Sequence, residues 1–472
     1  MRPKLNSQSQ FDYQPSPTLK ITETYHAKYD RIDEILNEHT ELLDPVHTDI
    51  AEPLDCERAE DESSGDRYKC SSESLLRVLI CMMIEACSLR EIVIRIDDSS
   101  FLRRFVHIYN DPMIDYTTVC RLKNRIKDET WKQVNETLAR TAVDSGWIDG
   151  DKLRMDTTAV ETNVHWPTDS SLLNDTYRTL ARLLKRIRSL DGKAVGKKRL
   201  LKRKAKQLNQ KIARLASGKK GAAEELETLY FELIQLVQGL IQWCNQVTEN
   251  VATKLARGAY ADVVAADLQC LVGKVAHYVQ LGEQVVKQAW MRVVEEKPVA
   301  NDDKLFSIFE PHTELLIRGK AGKEIEFGHM VQIEQVESKF ITGYEVFEKR
   351  PVEHELVEPA IENHKKLFGC CPNELAADKG FYRDMDQLND LEQRINVVSI
   401  CKKGSRTEEE AEREHNPAFR RAQRFRAGVE GSISFLKRVL GLARCYTKSF
   451  THYAATVGVT ILAHNLLILA RC

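Results

Sequence analysis

Lys152-Leu-Arg-Met-Asp-Thr-Thr-Ala-Val160 is the stretch on which the reading of this chain turns. Its β-branched and apolar residues predict a strand, with a second extended piece through Val164. Alternation places Leu153 and Met155 on one face and Asp156 on the other. A carboxylate inside such a strand is costly to bury unless something offsets it, and a bound cation is an effective partner. Asp156 is therefore the first candidate site residue.

Downstream, strand signals resume at Met330 to Gln335 and Phe340 to Phe347, with Val336-Glu-Ser-Lys339 as the turn of a hairpin. Glu355 to Phe368 reads as a helix, Leu375 to Asp378 as a short buried strand and Ile395 to Ile400 as another strand. Asn416 to Leu440 is helical, and His452 to Leu469 closes the chain. From Ser171 to about Val294 the sequence is helical and rich in Leu, Lys, Glu and Gln, with Gly192, Gly196, Gly218 and Gly221 at the expected turns. No fixed-period repeat runs through it, so it reads as a helical insertion and not a solenoid. With the insertion set aside, the order is β, β-hairpin, α, β, α, β, α. That is the order of a ribonuclease H-like domain of the α/β class, a mixed sheet covered on both faces.

Upstream, residues 1 to about 27 are polar, carry Pro3, Pro15 and Pro17, and read as a loose tail. The segment to about Lys69 is acidic, with helical potential near Tyr29 to Leu43. From Ser71 the pattern is strongly helical, with Leu75, Val78, Leu79, Met82 and Met83 at helical spacing. Ser88 and Glu91 form a capping-box pattern before a helix over Leu89 to Ile96. A third helix follows from Thr117 through Val119, Leu122 and Ile126, compatible with a helix-turn-helix module. The expected domains are a polar and acidic segment (1–69), a helical domain (70–150), a sheet domain (151–170 with 300–472) and the helical insertion (171–299).

A chain of 472 residues implies two to four domains, and 42% hydrophobic with 29% charged residues is ordinary for a soluble protein. The net charge of -1 conceals local bias. Asp30 to Asp66 holds 14 acidic residues against Arg31 and Arg58, whereas Arg178 to Lys220 holds 17 Lys or Arg against Asp191 alone. Local charge decides what a surface attracts. The 12 cysteines form no CxxC pair or Cys/His ladder, and adjacent Cys370 and Cys371 cannot form an ordinary disulfide, so reduced thiols are expected. No leader-like segment opens the chain, and the apolar run Thr456 to Ala470 is short and contains His464 and Asn465. The expectation is a cytoplasmic protein with a buried C-terminal helix and no membrane partner.

Two more carboxylates join Asp156. Asp378 closes Leu375-Ala-Ala-Asp378, where Gly380 permits a sharp turn, and ligands of open α/β sheets gather at the carboxyl ends of strands. Glu430 borders the helical stripe Val429, Ile433, Leu436 and Leu440, with Arg426 four residues before it and Lys437 seven after it on the same face. Hard divalent ions such as Mg²⁺ take oxygen ligands and leave room for phosphates. Two such ions roughly 3.5–4 Å apart activate an attacking oxygen and stabilise a leaving one. Arg426 and Lys437 are placed to hold phosphate. Alone, Asp156 reads first as a strand-end or turn acid, Asp378 equally well as an ordinary turn, and Glu430 first as a surface i,i+4 ion pair with Arg426. Their order on strand, strand and helix, with basic neighbours on the third, makes the set.

The stretches Met155-Asp-Thr-Thr-Ala-Val-Glu-Thr-Asn-Val-His-Trp-Pro-Thr-Asp-Ser-Ser-Leu-Leu173, Phe309-Glu-Pro-His-Thr-Glu-Leu-Leu-Ile-Arg-Gly-Lys320, Phe327-Gly-His-Met-Val331 and Ala377-Asp-Lys-Gly-Phe-Tyr382 resemble bacterial insertion-sequence transposases. The nearest likeness is to the ISNCY group of the DDE class, over roughly residues 70 to 472. The resemblance implies a metal-binding triad of Asp156, Asp378 and Glu430. It also implies two Mg²⁺ ions (Mn²⁺ able to substitute), DNA partners in the form of terminal inverted repeats and target, and a homodimer or larger complex on DNA. Related transposases carry a Tyr-x2-Arg-x3-Glu-x6-Lys signature. Here Arg426, Glu430 and Lys437 keep those spacings, but Gln423 stands where the tyrosine would fall. A nuclease without strand transfer and a catalytically inactive DNA-binding relic are the rival readings.

For DNA contact, the helix from Thr117 offers Arg121, Lys123, Asn124, Arg125 and Lys127 to a major groove, or else is an amphipathic helix with a solvated basic face. The basic stretch, with Lys197, Lys198, Arg199, Lys202 and Arg203 at its centre, suits phosphate contact without sequence readout. His165 and Trp166 read either as an end-stacking pair or as core. His312, His329 and His464 show no metal-ligand spacing.

Overall fold

The computed structural model describes residues 2–5, 19–52, 70–216, 223–320 and 323–471. They divide into two compact units, Met1–Asn163 with Gly328–Cys472, and Val164–Phe327. The first unit opens with helices α1 (Lys20–Glu38) and α2 (Asp44–Ile50), joined by a 3-10 turn over Thr40–Leu43. Helix α1 begins inside the stretch expected to be loose. Tyr25, Tyr29, Ile32 and Leu36 already keep helical spacing there, and Tyr29, Ile32, Ile35 and Leu36 are buried. Residues 6–18 of that expected tail lie outside the described residues.

Helix α3 (Ser72–Ile84) is buried along nearly its whole length, and Ser71 caps it by accepting the Ser74 amide. In α4 (Leu89–Asp98) only half of the expected capping box forms: Ser88 accepts the Glu91 amide, while the Glu91 carboxylate takes Arg95 instead. Helices α5 (Ser100–Phe105), α6 (Tyr116–Lys123) and α7 (Asp128–Asp144) lead to β1 (Lys152–Thr162), one unbroken strand.

The second unit is the helical insertion: α8 (Asp169–Leu190), α9 (Gly192–Val195), α10 (Lys202–Ala216), α11 (Ala223–Ala256) and α12 (Asp262–Val293). Leu180, Leu184, Val237, Cys244 and Val275 are among the residues of its own apolar core. Strand β2 (Glu314–Lys320) and the opening of β3 (Lys323–Gln335) also belong to it. This extra strand was not legible in the sequence, because the consecutive Leu315, Leu316 and Ile317 break period-two alternation.

The first unit resumes along β3 and turns through Lys339, whose φ of 69° closes the expected hairpin into β4 (Ile341–Val346). Then come α13 (Val357–Phe368), β5 (Glu374–Ala377), α14 (Met385–Glu392), β6 (Val397–Ile400), α15 (Glu408–His415) and α16 (Pro417–Arg438). Strand β7 (Arg444–Cys445) and α17 (Phe450–Leu469) end the chain.

The fold is mixed α/β with a mixed sheet of seven strands. Its path is β2-β3-β1-β5-β6, with β4 on β3 and β7 on β1. The tight turn makes β4 antiparallel to β3, and β3 is antiparallel to β1. The helical crossovers make β5 parallel to β1, and β6 parallel to β5. On one face Leu153, Met155, Leu375 and Ala377 pack with Val357 and Ile361 of α13 and Leu388 and Leu391 of α14. Helix α16 lies along β1, β5 and β6.

Helix α17 is long and apolar enough to cross a membrane, yet 89% of its apolar window is buried inside the fold. It packs on α3, α7 and β4, and one continuous core joins Tyr29, Leu75, Trp131, Val331 and Leu462. The N-terminal helices and the sheet therefore form one compact unit where two domains were expected. The polar residues of α17 pair with backbone: Asn465 brackets the N–H and C=O of Ile341, and His464 donates to the Lys339 carbonyl.

One buried carboxyl is held apart from the site. Burial pushes Glu334 on β3 up to about 7, an Asn363 hydrogen bond opposing and the Glu345 charge adding to it. A folded-state value above the unfolded one gives stability that is complete below roughly pH 4.5 and is lost as pH rises through about 7. Glu334→Gln should therefore unfold at a higher temperature than wild type at pH 8, by roughly 2–3 kcal/mol of stability. The gap should close at pH 4.5 in thermal melts followed by circular dichroism; a gap independent of pH would refute the assignment.

Candidate active site

Strands β1 and β5 run parallel with Met155 opposite Ala377. One residue further along each strand stand Asp156 and Asp378, so the register sets them side by side on adjacent strands, roughly 4.8 Å apart in backbone spacing. Met155 and Ala377 both point into the core under α13 and α14. Asp378 keeps an extended backbone (φ -71°, ψ 162°), so alternation carries both acids to the opposite face. That is the face of α16.

Each acid is oriented locally. The Thr157 amide donates to Asp156 Oδ1 at 2.7 Å, and the Asp156 side chain is 14% exposed. Asp378 is exposed and caps the 3-10 turn Lys379–Phe381 by accepting the Lys379 amide at 2.5 Å. Helix α16 starts where Asn416 caps the Ala418 amide and Pro417 fills the first turn. Its buried stripe of Phe419, Ala422, Val429 and Leu436 faces the sheet, and Glu430 beside that stripe is 65% exposed.

Arg426 joins the helix to the strand. Its guanidinium lies 3.0 Å from Glu430 Oε1 and 3.6 Å from Asp156 Oδ2. Asp156 and Glu430 thus share one cation between them. Among the described residues, no three His, Cys, Asp or Glu side chains converge closely enough to hold a metal ion. The three side chains are carboxylates, the ligand type a hard divalent cation takes; two are adjacent by register and the third is tied to one of them through Arg426. Glu430 is solvated, with 65% of its side chain exposed.

The remaining expected site residues are placed as follows. Lys437 lies two turns beyond Glu430, roughly 10 Å along the helix, and its ammonium donates to the Ala159 carbonyl of β1 at 2.5 Å. Gln423, in the place of the signature tyrosine, donates to the carbonyls of Ser399 at 2.7 Å and Ala377 at 3.4 Å, tying α16 to the ends of β6 and β5. A neighbour not singled out in the sequence is Glu353, which accepts the Thr157 hydroxyl at 2.7 Å. A Cβ on Gly380 would meet the Glu353 carboxylate, so a side chain at 380 would displace that carboxylate. Nothing in the sequence marks Glu353, an acid in a connecting segment like many others.

On the expected DNA-reading helix, Arg121 and Asn124 are exposed, but Lys123 points inward and is only 8% exposed. Burial lowers the pKa of that ammonium, which sits near Cys445 and Cys120, so Lys123 cannot present its charge to a groove. Helical phase is the reason: Lys123 follows Val119 by four residues and falls on the same buried side. Arg125 donates to the Glu52 carbonyl, and the Asn124 carbonyl accepts from His452.

In the insertion, Lys197, Lys198, Arg199 and Arg203 are exposed and Lys202 is half-buried. The stretch's only acid, Asp191, is turned to structural use, capping α9 and binding Lys254 and Tyr260. Although desolvation opposes it, the Lys254 and Tyr260 hydrogen bonds hold that carboxyl at about 2. The loop's positive charge is thereby left unopposed by it. Trp166 is 63% exposed, edge-on to Phe327 at 5.2 Å, so it is not a core residue. His312 pairs with Glu310, and His329 is buried against Phe450 and Tyr453.

No family model, no curated protein and no solved structure matches the chain.

Proposed function

We propose that this protein is a DNA transposase of the DDE class, with a ribonuclease H-like catalytic sheet, acting on the ends of an insertion sequence and on target DNA. The observation that carries the reading is the parallel register that sets Asp156 beside Asp378, under a helix bearing Arg426 and Glu430. A hairpin strand pair on one side of β1 and two crossover strands on the other agree with the ribonuclease H-like order expected from the sequence. Two divalent ions, when bound, would supply the charge that activates a water or a 3′ hydroxyl and stabilises the leaving oxygen.

The chain's own residues do the rest. Asp156, Asp378 and Glu430 would hold those ions, and Asp156 is kept in orientation by the Thr157 amide. Arg426, released from the two acids, would take a phosphate oxygen through its fork. The exposed loop around Lys197, Lys198 and Arg199 would neutralise backbone phosphates without reading sequence. Synapsis of two ends would require a dimer or larger assembly.

The test is a footprint on the DNA flanking the gene with Ca²⁺, then Mg²⁺ on the same complexes. Protected ends that are nicked only with Mg²⁺ and then joined to a second duplex support the reading. Protection without cleavage under any divalent ion refutes it. For the basic loop, the triple change Lys197→Gln, Lys198→Gln, Arg199→Gln should flatten the salt dependence of DNA affinity by roughly 0.9 in log–log slope for each phosphate no longer neutralised. Fluorescence-anisotropy titrations across salt read that slope, and an unchanged slope would remove the loop from the DNA surface.

A further inference from the structure

Beneath α16 lies a buried polar network that no part of the proposed chemistry uses. Arg154, two residues before Asp156 and on the same face of β1, is 3% exposed. Its Nε and Nη2 both donate to Gln335 Oε1 of β3, at 2.9 and 2.5 Å. Its Nη1 donates to the Phe425 carbonyl of α16 at 2.7 Å, and the guanidinium carbon stands 4.7 Å from the Phe425 ring centroid. Gln335 is fully buried, and its amide reaches the Lys339 carbonyl at 2.6 Å and the Ser432 hydroxyl at 3.0 Å. These acceptors are an amide and a backbone carbonyl, not carboxylates. Burial pushes the guanidinium pKa down to about 10, so it remains charged at neutral pH.

We infer that Arg154 is a positioning residue that sets the height and rotation of α16, and with them the reach of Arg426 and Glu430 toward Asp156. Phe425, Gly428 and Ser432 recur at i, i+3 and i+7, one stripe of the helix laid on the guanidinium. Arg426 and Glu430 sit within the two turns that this stripe spans. The fit depends on Gly428, since a Cβ there would collide with Arg154 Nη1. A buried guanidinium is a poor choice for filling a sheet–helix gap, since apolar residues of similar size avoid its desolvation. Its rigid planar fork is what distinguishes it, fixing β1, β3 and α16 at set angles. The position of Arg154 one pleat from Asp156 makes the same side chain the reference for both ends of the candidate site.

The inference rests on the metal-site reading above, and the experiment separates the two. Equilibrium Mn²⁺ binding is followed by electron paramagnetic resonance for wild type, Asp378→Ala, Arg154→Lys, Gly428→Ala and Ser432→Ala, alongside thermal melts and DNA affinity. Loss of Mn²⁺ binding in Asp378→Ala, together with binding weakened roughly 10–100-fold in Arg154→Lys and Gly428→Ala at unchanged DNA affinity, supports the clamp. Cleavage should show a lowered kcat with unmoved KM for DNA. Mn²⁺ should restore more of it than Mg²⁺, whose octahedral demand is stricter. Should either large change unfold the protein, Ser432→Ala, which removes one hydroxyl, decides by the same readouts. Mn²⁺ binding and kcat equal to wild type in the folded variants overturn the clamp alone. Mn²⁺ binding that survives Asp378→Ala overturns the metal site, and the clamp with it.

Discussion

On the proposed function, Asp378→Ala should lower Mg²⁺-dependent DNA cleavage by at least roughly 10³-fold, about 4 kcal/mol of barrier, while leaving the fold and DNA binding in place. The expectation follows from where Asp378 stands. It is the first residue past β5, exposed, and its structural duty is to cap a three-residue turn through the Lys379 amide. Losing such a cap costs roughly 1 kcal/mol, far less than the catalytic effect. Its neighbour across the register, Asp156, would not replace it, because one carboxylate would not supply the oxygen ligands that a pair of hard divalent ions requires. Asp378→Asn tests charge separately from shape. It keeps the side-chain oxygen that accepts the turn amide, so it should melt like wild type and cleave like the alanine variant. Gel assays of end cleavage, with melts on the same samples, read both quantities. Residual cleavage within tenfold of wild type in either variant would remove Asp378 from the site.

What the sequence made legible, and what it did not, divides along physical lines. Asp156 and Asp378 could be placed because a strand has a period of two and an end, and both features are written in short runs of residue types. Helix α16 was legible from Val429 and Leu436 at helical spacing, and its bounds were expected within two residues. Lys437 was judged by sequence spacing alone. Two turns separate it from Glu430 on their shared face, and the fold adds a contact that spacing does not encode, from its ammonium to the Ala159 carbonyl. Lys123 failed for a related reason, since a basic residue was counted as surface when its phase puts it inside. Glu353 and the Arg154–Gln335–Ser432 network depend on contacts between elements far apart in the chain, which no local pattern encodes. The expected separation of the N-terminal helices from the sheet failed because α17, last in sequence, fills the core of both.

Gln423 shows how a departure from the signature of the transposases that the sequence resembles can be compatible with the fold. The signature tyrosine is missing, but the amide that replaces it donates to backbone carbonyls at the ends of β5 and β6. Those are the strand ends beside Asp378. The helix is thus fastened to the sheet at two levels, by Gln423 near the start of α16 and by the Arg154 network further along it. Arg426 and Glu430 both lie within the span of the second, from Phe425 to Ser432.

On the same proposal, Arg426→Ala should move metal affinity and catalysis in opposite directions, a signature that would distinguish its role from support of the fold. The guanidinium stands 3.0 Å from Glu430 and 3.6 Å from Asp156, so it competes with any other cation for the same two carboxylates. At an effective dielectric constant of 20 a unit charge pair near 4 Å attracts by about 4 kcal/mol, before desolvation and side-chain freedom are counted. Glu430 is largely solvent-exposed, which reduces the net worth of such a pair to about 1 kcal/mol or less. Removing the guanidinium should therefore tighten Mn²⁺ binding by roughly fivefold, the equivalent of about 1 kcal/mol. Cleavage should fall by roughly 10²-fold in the same variant, because no cation is left to hold the phosphate beside the acids. Arg426→Lys keeps the charge but loses the two-pronged fork, so it should bind Mn²⁺ like wild type and still cleave poorly. Titrations of Mn²⁺ and single-turnover cleavage on the three proteins separate these effects. If Arg426→Ala weakens Mn²⁺ binding, the guanidinium is holding Asp156 and Glu430 in place for the metal, and its assignment to the phosphate is wrong.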